Sequence, residues 1–414
     1  MSIQAHVQRA SSWRVLLIVM AIAQLAAAVG FSISVPFLPI YVDLLGSRGG
    51  LATPTMAGLV LSAQALAAMV AAPIWGALGD RLGRKPMVAR AMLGSAIAMT
   101  GMAFAQTAEH LVLLYALQGA LGGTVPTASA MVAAAVPRAH LGRAMGALHG
   151  SQWAGLGLGP LIGGIVASTL GFRSAFLVTG SLLAIAAAVV IVFAVEQRSE
   201  SRPPVSRSWP RPRLALLVQR PLRRTFLARF ASTLGRSMAL PVAPLLVLSL
   251  SGAERAPLDT GMAFGLAAFS GIIGSIIAGR MGDRYGHTRV IGAYALLAAM
   301  LFAPLGLSGT SWQFIVLFGA SGFAVGGLMP NIGALLAARA PAGREGETYG
   351  FEGSVMGAAR AIAPTMGGLM AASWGYQGTF MVAALFFATV SLIVRERSDG
   401  HSTGDDDDAT PTPS

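Results

Sequence analysis

The run Gly76-Ala77-Leu78-Gly79-Asp80-Arg81-Leu82-Gly83-Arg84-Lys85 places one carboxylate, three cationic side chains and three glycines within ten residues. Lys85 is the only lysine in the chain. Asp80 can accept hydrogen bonds from a helix N-terminus. Arg81, Arg84 and Lys85 can pair with acids or phosphates. Gly76 allows two helix ends to approach closely. Such a group forms a latch that holds in one arrangement and breaks in another. The plainer alternative is a charged hairpin between two apolar segments. A weaker copy, Gly279-Arg280-Met281-Gly282-Asp283-Arg284 and onward to Arg289, begins 203 residues later (279 minus 76). It sets Asp283 and Arg284 at the places of Asp80 and Arg81.

Other charges fall inside long apolar stretches, where burial is costly and points to function. Arg236 and Arg360 lie near the middle of two such stretches, with no acidic partner evident in the sequence. They can attract an anionic group, or bond to backbone carbonyls and amides. His149 titrates near neutrality if unperturbed, and Glu352 occupies a nearly equivalent place in the second half. With Asp80, these two are the candidates for carrying a proton. A hydrogen-bonded interfacial histidine and an ion pair between Glu352 and a loop arginine are the structural alternatives. Gln24, Gln64, Gln118, Gln152 and Asn331 suit either a cavity lining or helix-to-helix hydrogen bonds. Phe31, Trp153, Phe264 and Phe269 suit an apolar cavity wall or a lipid-facing surface. No HExxH or GxSxG run occurs, and Lys85 is followed by Pro86 rather than the Ser or Thr of a nucleotide-binding loop. The chain has no cysteine, which excludes disulfides and thiolate-held metals. No enzyme activity, cofactor or metal is expected.

These residues are carried by an unusually apolar chain. Of 414 residues, 54% are hydrophobic and only 11% charged, against about 25% charged in a typical soluble domain. Apolar runs of bilayer-spanning length recur throughout. The net charge of +12 follows a positive-inside pattern rather than a nucleic-acid footprint. One face collects Arg14, Arg81, Arg84, Lys85, Arg143, Arg280, Arg284 and Arg344, and the other only Arg48, Arg173 and Arg255. The first apolar stretch, residues 15–42, is longer than the core of a cleaved signal peptide.

About twelve spans are expected, six in residues 15–195 and six in 225–394. Between them, residues 196–224 are rich in arginine and proline and read as a cytoplasmic basic linker lying against anionic lipid headgroups. Residues 1–14 read as a cytoplasmic N-terminus and 395–414 as a disordered cytoplasmic tail. The halves repeat each other. Gly30, Pro36 and Pro39 return as Gly235, Pro241 and Pro244 (235 minus 30 is 205). Pro160 with Gly163-Gly164 returns as Pro364 with Gly367-Gly368 (364 minus 160 is 204). Two parallel six-helix repeats with a binding site at their junction are a transporter architecture.

At these residues the chain resembles the major facilitator superfamily, and within it the twelve-helix drug–proton antiporters. Residues 76–85 match its GxLxDRxGRK signature. Gly150, followed after eight residues by Gly159-Pro160-Leu161-Ile162-Gly163-Gly164, matches the fifth-helix motif of its antiporters. Gly30 with Pro36-Phe37-Leu38-Pro39 is similar to the first-helix motif of the drug branch. The chain departs from that branch in two ways. No acid stands well inside the first six spans, and Tyr115 stands where a fourth-helix arginine would fall.

The expected fold is an all-α membrane protein of two six-helix bundles related by a pseudo-two-fold axis. The resemblance implies a secondary active exporter, moving amphipathic drugs or similar small molecules against protons by alternating access. Its partners would be the substrate, protons and membrane lipid, without nucleic acid. It would work as a monomer in a bacterial inner membrane. A dedicated exporter of an anionic metabolite or siderophore is the nearest alternative. A non-transporting receptor or a membrane enzyme is a more distant one.

Overall fold

The computed structural model describes residues 3–137, 140–194, 220–341 and 344–394; at 3–12, 80, 81, 126, 134, 220, 221, 345 and 346 only the backbone is described. The expected linker and tail therefore lie almost wholly outside the described residues, as does Arg138. Every described element is helical, which is how backbone polar groups are satisfied in hydrocarbon without water.

The first crossing is α1 (Ile3–Ser34), a 3-10 turn at Val35–Phe37, and α2 (Leu38–Leu45). Pro36 and Pro39 each remove a backbone donor and bend it. Then follow α3 (Thr53–Leu82) and α4 (Arg84–Met102). The fourth crossing is α5 (Ala108–Leu121) with α6 (Thr124–Ala135), and α7 (Leu141–Leu170) and α8 (Phe172–Phe193) complete the first half. The seventh crossing is α9 (Arg220–Ala239) with the start of α10 (Ala243–Tyr285). Gly252, at φ 73°, turns the chain within α10, and the remainder of that helix is the eighth crossing. The ninth and tenth are α11 (His287–Phe302) and α12 (Ser311–Arg339). The last two share α13 (Glu345–Val394), which reverses at Gly375.

Three sequence expectations change. The charged run at 76–85 is not a loop: α3 continues to Leu82, α4 starts at Arg84, and Gly83 alone, at φ 96°, joins them. Its copy behaves alike, with Gly286 at φ 89° between α10 and α11. A single left-handed residue is enough to reverse the chain, and glycine adopts it without strain. The fourth crossing is not continuous, because Gly123 takes φ 98° and breaks it. Gly326-Gly327, which repeats Gly122-Gly123 in the second half (326 minus 122 is 204), stays helical in α12, where Gly326 packs on Gly271 and Gly327 on Tyr294.

Each half has one large apolar core, and the second half adds two smaller clusters around Phe226 and Met238. The first gathers Met20, Tyr41, Met92, Tyr115, Leu148 and Phe176 with their neighbours. The second gathers Val242, Ile291, Phe314, Leu328, Phe380 and Phe387. They exchange residues at their junction, where Phe172 of α8 packs against both cores. Ile40 of α2 packs into the second core, and Leu240, in the turn before α10, packs against the first.

Candidate functional site

The halves meet along two helix pairs, α3 with α13 and α7 with α10. At one end of each pair the backbones are in contact. Gly58 of α3 lies against the backbone of Pro364 and Thr365, and Gly368 against Pro54 and Thr55. Across the junction, Ser62 accepts from the Thr365 amide at 3.1 Å and bonds its hydroxyl at 2.8 Å, and the Thr55 hydroxyl donates to the Gly368 carbonyl at 3.4 Å. In the other pair, a Cβ on Gly261 would stand 2.6 Å from the Pro160 carbonyl oxygen and 3.0 Å from the Gly164 Cα. Only residues without side chains permit this approach.

At the opposite end of the same helices the halves are apart. Gly76 of α3, Gly142, Gly146 and Gly150 of α7, Gly279 of α10 and Gly353 of α13 have no non-local atom near them. That end carries the two charged runs. The molecule is thus closed at the face of the 46–52 and 252 turns and open at the face of the charged runs.

Between the seals and the open end lies a cavity of about 590 Å³, within the usual size for a small-molecule site. Both halves line it, with Phe31 and Trp153 from the first and Phe264, Phe318 and Met329 from the second. Arg236 is the one charged residue among the described lining residues. Phe269, the remaining aromatic considered from the sequence, is exposed on the outside of α10 rather than part of this lining.

The fifth-helix motif serves both contacts of α7. Gly159 packs on Val29 and Ser32, and Gly163 on Ile33 and Phe37, which holds α7 to α1 within the first half. Pro160 and Gly164 face α10 and form the seal with the second half. Gly150 stands on the cavity wall with open space around it.

The contacts described for the two charged runs lie within their own halves. The Arg84 guanidinium donates to the Ala130 carbonyl of α6 in its own half. The Asp80 and Arg81 side chains fall outside the described residues, and Lys85 opens α4 beside Arg84. The Asp283 side chain is 81% exposed, and the His287 imidazole of the same half stands 3.9 Å from it. Arg284 stacks over Tyr285 with 5.3 Å to the ring centre. Arg90 of α4 sits 3.5 Å over the Trp75 ring of α3, and the Trp75 indole donates to the Ala120 carbonyl at 2.6 Å. This ties α3, α4 and α5 into one unit.

The polar residues considered for the cavity turn mostly to one another. Gln64 donates to Gln118 at 3.3 Å, and Gln118 donates to Ser95 at 3.4 Å. Gln152 bonds His149 at 3.2 Å and donates to Gln24 at 3.1 Å. Asn331 is fully buried inside the second half, bonding His287 at 2.8 Å and the carbonyls of Ala278 and Gly327 at 3.0 Å each. An amide in an apolar interior is held by whichever partners are nearest, and for these residues the partners are neighbouring helices. Arg360 is exposed in the middle of α13, within electrostatic range of Arg236.

Glu352 is ion-paired, and not to a loop arginine. Its carboxylate meets the Arg229 guanidinium of α9 at 2.8 Å, each side chain only 12% exposed. Arg229 also touches the sulfurs of Met356 and Met329 at 3.2 and 2.7 Å. Sequence reasoning missed Arg229 because it lies close to the basic linker. Its distance from Arg236, about two helical turns on one face, was the available signal. Asp259, only 3% exposed in α10 beside the seal, was also missed. It falls between two apolar runs and reads as loop.

Comparison with known proteins agrees with this architecture. The family model described as Major Facilitator Superfamily matches residues 20–224 and again 225–411, one match per half. A multidrug resistance protein MdtG of Rahnella sp. (strain Y9602) is 32% identical over 382 residues, 90% of this chain and 91% of the relative. One of Enterobacter lignolyticus (strain SCF1) is 32% identical over 360 residues, 86% and 85% of the two chains. Among solved structures, the nucleoside transporter NupG superposes with a TM-score of 0.74 at 13% identity, over 92% of this chain and 98% of that one. The repeated half, the paired seals around a junctional cavity and these matches place the chain in the Major Facilitator Superfamily.

Proposed function

We propose that this protein is a proton-coupled exporter of amphipathic small molecules that works by alternating access. The observation that carries this is the cavity at the junction of the halves, sealed at one end and open at the other. A substrate entering from the face of the charged runs meets an aromatic wall and cannot pass the seals. Opening the α3–α13 and α7–α10 seals while closing the other end would release it on the far side. The charged runs would then engage as the latch of the second state, with Asp80, Arg81, Gly83, Arg84 and Lys85 opposed by the copy around Asp283 and Arg284.

The positive-inside rule puts the open face and both termini in the cytoplasm. The bacterial relatives suit an inner membrane, and a junctional cavity within one chain suits a functional monomer. The MdtG relatives carry multidrug resistance in their name, which supports drugs as cargo here. For the proton, the carboxylate we favour is Glu352, paired with Arg229 about two helical turns from the cavity residue Arg236. Its protonation would free Arg229. His149, joined to Gln152 and Gln24, is the first-half counterpart.

The test is substrate-induced proton release from acidified inverted membrane vesicles. Addition of transported compounds should release protons in the parent chain and not in Asp80→Asn. Accumulation of a compound without any proton movement would replace antiport by another coupling.

A further inference from the structure

Four ionisable side chains form two layers in the second half. α9 and α13 pack together along their lengths. In the layer nearer the open end, Arg229 and Glu352 neutralise each other at 2.8 Å. About two helical turns deeper along each helix come Arg236 and Arg360. Arg236 lies on the cavity wall and feels the positive charges of both Arg360 and Arg229. Neither Arg236 nor Arg360 makes a hydrogen bond or ion pair with any described residue. Both are nonetheless accessible in mid-helix, and the Arg236 side chain reaches the cavity.

Two neighbouring cations without a counter-ion are unfavourable in an otherwise apolar chamber. The Glu352 carboxylate, the nearest described acid on α13, is already engaged. A guanidinium presents a planar fork of donors that fits carboxylate, sulfonate and phosphonate oxygens in pairs, and it stays charged across the biological pH range. The aromatic residues Phe31, Trp153 and Phe264 lie on the same cavity wall as Arg236.

We propose that Arg236 and Arg360 form an anion subsite, taking the oxyanion group of an amphipathic substrate whose apolar body lies against Trp153, Phe31 and Phe264. This rests on the cavity being the transport site. An anionic lipid headgroup offers the same oxyanion chemistry, and the experiment separates the two.

The full-length chain is placed in phosphatidylcholine liposomes and given three matched probes: dansyl-leucine, its neutral carboxamide, and the cationic dansylcadaverine. Binding is read by dansyl fluorescence and movement by vesicle uptake. The carboxylate is expected to bind roughly tenfold or more tightly than the carboxamide. Arg236→Gln or Arg360→Gln should collapse that ratio toward one, and Arg236→Lys or Arg360→Lys should retain part of it. The lysine variants also report whether loss comes from charge or from misfolding. Equal binding of carboxylate and carboxamide by the parent chain would overturn the proposal, as would a glutamine variant that weakens all three probes alike. Adding phosphatidylglycerol addresses the lipid. If it abolishes the carboxylate preference in the parent chain, the subsite belongs to lipid and the substrate assignment falls. Arginine-dependent binding with no uptake of any probe would sink the export reading and leave the anion subsite standing.

Discussion

Replacing Gly58 by alanine should shift the molecule toward the opposite conformation. The added Cβ would stand 2.8 Å from the Pro364 carbonyl carbon and 2.9 Å from the Thr365 Cα, and closer still to the Pro364 oxygen. These neighbours are backbone of α13, so no side chain can swing away, and the two helices must separate. Overpacking of this kind costs about 1–3 kcal/mol. The cost arises only while the α3–α13 seal is shut, so it changes the equilibrium between states by a factor of roughly 5 to 150. The chain has no cysteine, so spin labels can be placed at Ala77→Cys in α3 and Ser354→Cys in α13 without background. Both sites are exposed at the open end. Double electron–electron resonance should show the label distance shortening in Gly58→Ala as the open end closes. Gly333→Ala, where nothing lies near the added carbon, should leave the distances unchanged. An unaltered distribution in a folded Gly58→Ala protein would refute the argument that this contact holds the state.

Three further outcomes follow from the same contacts. Glu352→Gln leaves the Arg229 charge buried without its partner, which should cost about 3–5 kcal/mol and lower the thermal unfolding midpoint; replacing both residues by methionine should recover much of it. Asn331→Leu removes three hydrogen bonds from the interior of the second half and should destabilise by about 1–3 kcal/mol, read by the same thermal scan. At the closed face, the Glu109 carboxyl is held down at about 2 by its own backbone amide, then by the Gly49 amide and the Ser47 hydroxyl. Its folded pKa lies below the unfolded value of about 4.3, so its anchoring of the 47–49 turn is complete above that value and is lost as pH falls through about 2. The protection of the Gly49 amide relative to its intrinsic exchange rate should fall only in that acid window, and Glu109→Gln should remove that change in protection.

Much of this architecture was legible in the sequence because membrane helices announce themselves by length and apolarity. The repeat was legible because prolines and glycines return at a near-constant offset, and the same offset explains why Pro36 and Pro241 both stand at breaks in their crossings. Two features were not legible. Gly122-Gly123 and Gly326-Gly327 look identical in sequence, yet one pair breaks its helix and the other does not. The difference lies in whether a neighbouring backbone packs against the glycines, which no local pattern encodes. The assignment of polar residues was similarly open. Asn331 and Gln118 have the right depth for a cavity, but rotation of a helix about its axis decides which way they face. Arg236 and Phe31 do reach the cavity, and nothing in their own neighbourhoods distinguishes them from Asn331. The charged runs were legible as a matched pair, while which face of the molecule stands open is a property of the conformational state and not of the sequence.

The central claim is that one cavity opens alternately to the two faces. It is tested most directly by thiol access to Ser275→Cys, a cavity position of α10, in right-side-out and inverted vesicles. A membrane-impermeant maleimide should label the same cysteine from either face, faster from the face of the charged runs, with transported compounds slowing both. Labelling from that face alone, under conditions where substrate is being moved, would contradict alternating access through this cavity.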